Sequence, residues 1–409
     1  MTAPLTVDLG DAEFWQNPHA VWREARRHGR TARTPQGEMI LLDAADFDTV
    51  HADAAFGQLG VSALERLGIR DGPIHAWRSR TMAAHDGAVH DRLRGSLARS
   101  FTPRRVEPLR AALRDHARDV LAYMANEEHP DIVTGYARDL PLWLICTFLG
   151  LPPSSRHEID TFLTGTEEAF TDPPTAAGRQ RAEDGLVALG HYVEELVAER
   201  IGRPGEDLVS DLVMAEAAGR LTHEELVALV VNVIGGSVGS SRAGITNSLL
   251  LMLQHPEQAE WAMAAPQRIR QATEECLRFH PPFRTGRRRA LVPIDRFGAH
   301  FEPGDTVLLA RQAANRDPAR WAEPDRFDVT RPEQRHYSFG AGAHFCLGNA
   351  LARLDIQEAV SVFFEECGGA RLVDRCPRRI PFTADEQLES LRVTLPSRQR
   401  RGGDAHDRP

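Results

Sequence analysis

Apolar residues recur along most of this chain at the three-to-four-residue spacing that lays one stripe along a helix. The segment "NPHAVWREARRHG" predicts a first helix with Trp22 and Ala25 on one face. "AVHDRLRGSLARSF" predicts a second, stopped by Thr102-Pro103, and "TPRRVEPLRAALRDHARDVLAYMA" a third with proline in its first turn. Further helical runs cover roughly 134–150, 155–170, 178–201, 206–218, 222–254, 256–263 and 266–279, and "NALARLDIQEAVSVFFEE" adds another. Strand-like pieces are fewer. "TPQGEMILLD" reads as a small hairpin, and "RRALVPIDRFGAHFEPGDTVLLAR", with turns at Gly298 and Pro303-Gly304, as short antiparallel strands. "LESLRVTLPS" is a late strand candidate. No internal repeat or long linker interrupts the pattern. The expectation is a single domain over 1–409, mainly α with small β-sheets, whose polar end at 397–409 frays.

The run at 222 is the best marked. Thr222 and Glu225 have the spacing of a capping box, and Leu221 can staple onto Leu226. About 32 helical residues would span roughly 48 Å, enough to cross the molecule. Inside lie Gly235, Gly236, Gly239 and Gly244. Each costs about 1 kcal/mol relative to alanine in a helix interior. Such a helix needs its missing side chains: another helix packs close, or a flat or bulky object lies against it.

Charge and composition narrow the classes. The chain has 409 residues, 42% hydrophobic and 26% charged, with a net charge of -9. That excludes wholesale disorder and argues against a nucleic-acid binder, which carries a basic surplus. No apolar run reaches the ~18 residues of a membrane span; Leu226–Ile234 is the best candidate. The N-terminus lacks a basic-then-apolar signal, so a cytoplasmic protein with no membrane partner is expected. Five scattered cysteines, with no CxxC pair, support neither a zinc site nor a disulfide framework.

One cysteine stands apart. "FGAGAHFCLG" puts Cys346 at a loop-to-helix junction among Gly340, Gly342 and Gly348. Open N–H groups and the positive helix end favour a thiolate there, and the glycines remove side chains where something wide approaches the backbone. The residues alone leave three readings: an inert buried cysteine, a nucleophile needing a base (His344 is two residues away), or a soft metal ligand.

The ten residues 339–348 resemble the haem-binding signature of the cytochrome P450 superfamily, Phe-Gly-x-Gly-x-His-x-Cys-x-Gly, at every fixed position. "ECLR" resembles the ExxR motif, "ANRDP" and "EPDRF" follow it in order, and the whole looks like a soluble bacterial, actinobacterial-type member drawing electrons from separate proteins. The resemblance implies haem b (iron protoporphyrin IX) with Cys346 as iron ligand. It implies propionate contacts from His90, Arg94, Arg288 and His344, with Gly236 beside the porphyrin. It further implies a structural network of Glu275, Arg278 and Arg326.

The same likeness lays the glycine-rich helix over the distal haem face. There the family carries an acid followed by threonine, a proton-delivering pair, and this chain has Gly239 and Ser240. Water, a polar group of the substrate, or a reaction outside ordinary dioxygen activation (peroxide use, oxidative coupling, N–O or O–O rearrangement) would answer for the missing acid. Arg242 is expected to point away into a polar contact. The resemblance places a variable loop at 55–89, a two-helix lid at 160–195, and Val238 and Phe283 at the substrate. It implies a monooxygenase acting on a small organic molecule, in natural-product biosynthesis. Electrons would come from a ferredoxin and its ferredoxin reductase, with Arg99, Arg104, Arg105 and Arg335 as docking candidates.

Overall fold

The helix that organises the molecule begins where the sequence marks it. Thr222 accepts a hydrogen bond from the Glu225 amide at 3.2 Å, and the Glu225 carboxylate accepts one from the Thr222 amide at 3.0 Å. Two donors that a helix start leaves open are thereby satisfied. Arg92 clamps the same carboxylate with two bonds of 2.7 Å. Leu221 and Leu226 are both buried. From this cap the central helix runs unbroken over His223–Gln254, 32 residues, packing against the helices Tyr136–Phe148 and Asn349–Glu366. Its length and hydropathy meet the test for a membrane span, which the sequence reading assigned to no segment, yet most of that window is buried inside the protein.

This computed structural model describes residues 4–169, 175–381 and 385–396. The stretch expected to fray, 397–409, lies outside them, as does part of the expected lid. Within the described residues the helical expectations hold closely: Pro18–His28, Gly87–Ala98, Tyr136–Phe148, Arg156–Ala169, Ala176–Gly202, Leu208–Ala217, Pro256–Met263, Pro266–Phe279 and Asn349–Glu366. The third helix does not hold as one piece. It splits into Pro103–Val106 and Leu109–Met124, because Pro108 cannot donate a backbone bond and disfavours helical geometry before it. The region 55–89 is more ordered than a loop, with short helices at Ser62–Glu65 and Gly72–Ser79. The helix Ala44–Ala52 had not been expected at all.

The sheet bears out the expected hairpin and antiparallel strands and adds a pairing no local pattern predicted. Its five strands lie in the order Thr31–Arg33, Met39–Leu41, Thr306–Ala310, Thr285–Ala290, Phe56–Gly57. The pairing of Met39–Leu41 with Thr306–Ala310 is parallel, Met39 facing Val307, while the others are antiparallel. Local pattern fixes hairpins but not which distant strand they join. The turn at Phe297-Gly298 closes a separate two-stranded hairpin, with both residues at positive φ (53° and 75°), the backbone a two-residue hairpin turn demands. The last strand is confined to Val393–Thr394. The sheet sets the far wall of a cavity whose near wall is the central helix.

Candidate active site

That cavity holds about 370 Å³ and is lined by the central helix, the Cys346 loop and the residues flanking two strands of the sheet. The loop is built by its backbone. The Phe339 carbonyl accepts a hydrogen bond from the Cys346 amide at 2.9 Å. Gly340 and Gly342 stand at φ 70° and 68°, where a side chain is strained. A Cβ on Gly342 would also lie 2.8 Å from the His51 carbonyl oxygen. These two glycines are therefore demanded by the turn itself, not by a wide ligand. Gly348 opens the helix Asn349–Glu366, and its amide donates to the Cys346 sulfur. Burial pushes the Cys346 thiol up; that amide and the guanidiniums of Arg311, Arg94 and Arg353 push the other way. The site suits a thiolate once a cation sits on the sulfur.

Four basic side chains named from the sequence, His90, Arg94, Arg288 and His344, line this cavity together with Cys346. The His90 and His344 rings lie 4.0 Å apart between centroids. His90 contacts Asp91 through Nδ1 at 3.0 Å, while its buried Nε2 has no partner. His344 contacts Asp86 at 2.9 Å. Burial first, with the Asp86 carboxylate opposing it, takes its pKa down to about 4. Arg94 donates to the Phe345 carbonyl at 2.9 Å, and Arg288 to the Arg287 carbonyl at 2.9 Å. A buried ring nitrogen without a partner and two guanidiniums spending bonds on carbonyls leave polar groups that an anionic ligand could engage. The donor set, one sulfur amid cations facing an apolar-walled slot, fits haem with its two propionates.

On the opposite wall the central helix presents Asn232, Val233, Gly236, Ser237, Ser240 and Ser241. With 3.6 residues per turn these share one stripe. Gly236 and Gly235 have open space where a Cβ would stand, whereas one on Gly244 would lie 2.6 Å from Ile356. The glycines therefore do both jobs weighed from the sequence, close helix packing at one end and an open wall at the other. Two assignments need correction. Val238 is buried on the opposite side of the helix, and Gly239 lies beyond the edge of the stripe, so neither lines the cavity. Ser240 does, with its hydroxyl folded back onto the Gly236 carbonyl at 3.3 Å. Phe283 lines the cavity from the sheet side. Arg242 is buried and donates to Gln387.

The carboxyl absent at 239 appears elsewhere. Asp355, on the helix that follows Cys346, lines the cavity and is 1% exposed. Among the described residues, the Ser241 hydroxyl is the one polar group beside its carboxyl. Burial pushes its pKa up to about 8, with the Ser241 hydroxyl beside it opposing. Burial thus favours its protonated form. Sequence reasoning passed over it; the signal was a lone acid between Leu354 and Ile356 in an apolar helical run.

Below the cavity, Arg278 donates to both oxygens of Glu275 at 2.6 and 2.8 Å. It also donates to the carbonyls of Asn315 and Pro324, each at 2.9 Å, and of Arg326 at 3.3 Å. The third arginine, however, is Arg331, which reaches Glu275 at 3.4 Å. The Arg326 side chain is 60% exposed and pairs with Glu323 at 3.1 Å. Arg326 contributes only its carbonyl, because the turn after Glu323 directs its side chain outward.

The comparisons agree with this geometry. A family profile described as Cytochrome P450 matches residues 189–368. The chain is 31% identical over 98% of its length to the cytochrome P450 monooxygenase PikC of Streptomyces venezuelae, covering 96% of that protein. This chain belongs to the cytochrome P450 family. A 6-deoxyerythronolide B hydroxylase of Saccharopolyspora erythraea is 36% identical over 71% of each chain. The crystal structure of CalO2 superposes with a TM-score of 0.90 at 27% identity, covering 96% of this P450 and 99% of the other. Relatives from Xylella fastidiosa and Bacillus subtilis match as well, so the likeness marks no actinobacterial subtype. This P450 is an oxidoreductase of the monooxygenase type.

Proposed function

We propose that this P450 is a haem-thiolate monooxygenase that oxidises a small organic molecule in natural-product biosynthesis. The carrying observation is the meeting of Cys346, two guanidiniums and two imidazoles suited to propionates, and an open wall at Gly236 in one cavity. Haem b bound there supplies activation of dioxygen for oxygen insertion into the substrate. Cys346 ligates the iron, and His90, Arg94, Arg288 and His344 hold the propionates by charge-assisted bonds. Phe283 and Val233 give the substrate apolar contact. The natural-product setting is drawn from the likeness to PikC and to the 6-deoxyerythronolide B hydroxylase. Electrons come from a ferredoxin and its reductase. Arg99, Arg104 and Arg335 are exposed and suit an acidic partner, while Arg105 is committed to Asp211 at 3.1 Å. Purified protein that shows a red-shifted Soret band when reduced under carbon monoxide, and turns over with ferredoxin, reductase and NADH, supports this reading. A colourless protein refutes it.

Asp355 removes the main reason to favour non-standard chemistry. Its proton can pass by the Ser241 hydroxyl to water in the cavity beside Ser240. Replacing Asp355 with Asn keeps the shape but removes the acidic proton. Coupled product formation is expected to fall roughly 100-fold, with peroxide release rising and the carbon monoxide spectrum unchanged. Stability tests the same group. Between its ordinary value of 3.8 and about 8, the unfolded chain ionises Asp355 while the folded chain does not, so wild-type stability falls as pH rises through that window and levels off above it. The Asn variant lacks this slope, and its Tm advantage over wild type should grow from pH 4 to 8. Gly239→Glu, by contrast, adds an acid off the cavity face, and coupling should stay within twofold of wild type.

A further inference from the structure

We propose that Arg311 binds a carboxylate of the substrate, so that the molecule this P450 oxidises is an organic acid held by its charged end against the sheet wall. This rests on the haem-thiolate reading of the cavity. Arg311 follows directly on the strand Thr306–Ala310 and lines the cavity. Its guanidinium lies 5.7 Å from the ring of Phe283. It also lies flat on the backbone of the neighbouring strand: a Cβ on Gly286 would stand 3.1 Å from Nη2 and 3.4 Å from Nε. Gly286 thus leaves the space that the guanidinium occupies, two residues before Arg288 and on the same face of that strand.

What Arg311 lacks is a carboxylate partner. Among the described residues no hydrogen bond or ion pair is made by its guanidinium, and its charged neighbours are another cation, Arg288, and the Cys346 sulfur, which the iron would take up. Several buried arginines are served more closely: Arg278 by Glu275, Arg316 by Asp325 at 3.1 Å and Arg242 by Gln387, while Arg284 has Glu386 at 3.9 Å. Burial, with Arg288 adding to it, brings the Arg311 pKa down to about 10, so it stays charged at neutral pH. A half-buried guanidinium without a hydrogen-bonded partner is unfavourable, and its planar fork matches a carboxylate bidentately. The two propionates already have two guanidiniums, Arg94 and Arg288, and two imidazoles, His90 and His344, between them. Arg311 is the surplus charge, placed against Phe283 where the apolar body of a substrate would lie.

The same carboxylate chemistry could come from a haem propionate, and the experiment separates the two sources. Wild type, Arg311→Met and Arg311→Lys holoproteins are first compared for haem content and for the reduced carbon monoxide spectrum. Each is then titrated with dodecanoate and with 4-phenylbutyrate, and with the corresponding primary amides, by Soret spin-state shift and by calorimetry. Wild type should bind at least one acid 10-fold or more tighter than its amide. Arg311→Met should lose 10- to 100-fold for the acid and less than threefold for the amide, and Arg311→Lys should recover part of the loss. Equal affinity of wild type for acids and amides overturns the proposal. Lowered haem retention in Arg311→Met with acid preference intact also overturns it, and assigns Arg311 to a propionate. A wild-type protein with haem but no thiolate spectrum refutes the haem-thiolate reading instead, and the calorimetric acid preference, present or lost in Arg311→Met, still decides for or against Arg311.

Discussion

Cys346→Ser is expected to abolish the red-shifted Soret band of the reduced carbon monoxide complex and to lower turnover by on the order of 1,000-fold, equivalent to about 4 kcal/mol of activation barrier. The reason is electronic as well as structural. A thiolate pushes electron density onto iron in a way an alcohol cannot, because serine stays protonated where a soft sulfur ionises. The loop is designed to tolerate the swap: the Cys346 amide bond to Phe339 and the positive φ of Gly340 and Gly342 involve backbone alone. Serine should therefore leave the fold intact, with far-ultraviolet circular dichroism unchanged and haem content reduced. The Gly348 amide and the guanidiniums of Arg94, Arg311 and Arg353 that favour the thiolate remain in place, so any change of spectrum reports the atom and not its surroundings. An unchanged spectrum and undiminished turnover in the serine variant would remove Cys346 from the chemistry.

How much of this was readable in the residues depends on whether the information was local. The capping box at Thr222, the proline at the start of Pro266–Phe279 and the two-residue turn at Phe297-Gly298 act within a few residues, and each element begins or turns where its sequence says. The split at Pro108 was equally local, and the helical periodicity on both sides of it masked a breaker. The parallel pairing of Met39–Leu41 with Thr306–Ala310 joins segments more than 260 positions apart, and no pattern in either strand encodes it. The site divides in the same way. Cys346, His344 and the Glu275–Arg278 pair lie in compact motifs. Asp355, Arg311 and Arg331 gain their meaning only from what the fold sets opposite them: Ser241, Phe283 and Glu275 respectively. Gly239 shows the converse. A motif position suggested a catalytic deficit, and the helix turns that position off the cavity wall.

The third arginine is where motif order and geometry disagree, and substitution decides between them. Glu275 and Arg278 are 3% and 1% exposed, and the Glu275 carboxylate also accepts the Asp328 amide at 2.9 Å. Glu275→Gln strands the Arg278 cation without its counter-charge, a change that costs about 3–5 kcal/mol. At roughly 2.1 cal/mol/K per residue of unfolding entropy, that amounts to a Tm lowered by about 3–6 °C in a chain of this length. Lower haem occupancy should accompany it, since the Arg278 bonds to Asn315 and Pro324 tie the helix Pro266–Phe279 to the stretch leading back to the Cys346 loop. Arg331→Ala should cost a substantial part of this, because Arg331 also donates to the carbonyls of Ala322 and Glu323 at 2.6 and 3.2 Å. Arg326→Ala removes only surface pairs, with Glu323 at 3.1 Å and Asp328 at 3.9 Å, worth about 0–1 kcal/mol, and should shift Tm by about 1 °C or less. A double-mutant cycle between positions 275 and 331 should then return a coupling that one between 275 and 326 does not. If the two cycles came out the other way round, the outward course of the Arg326 side chain, and with it the network described for Glu275, would be wrong.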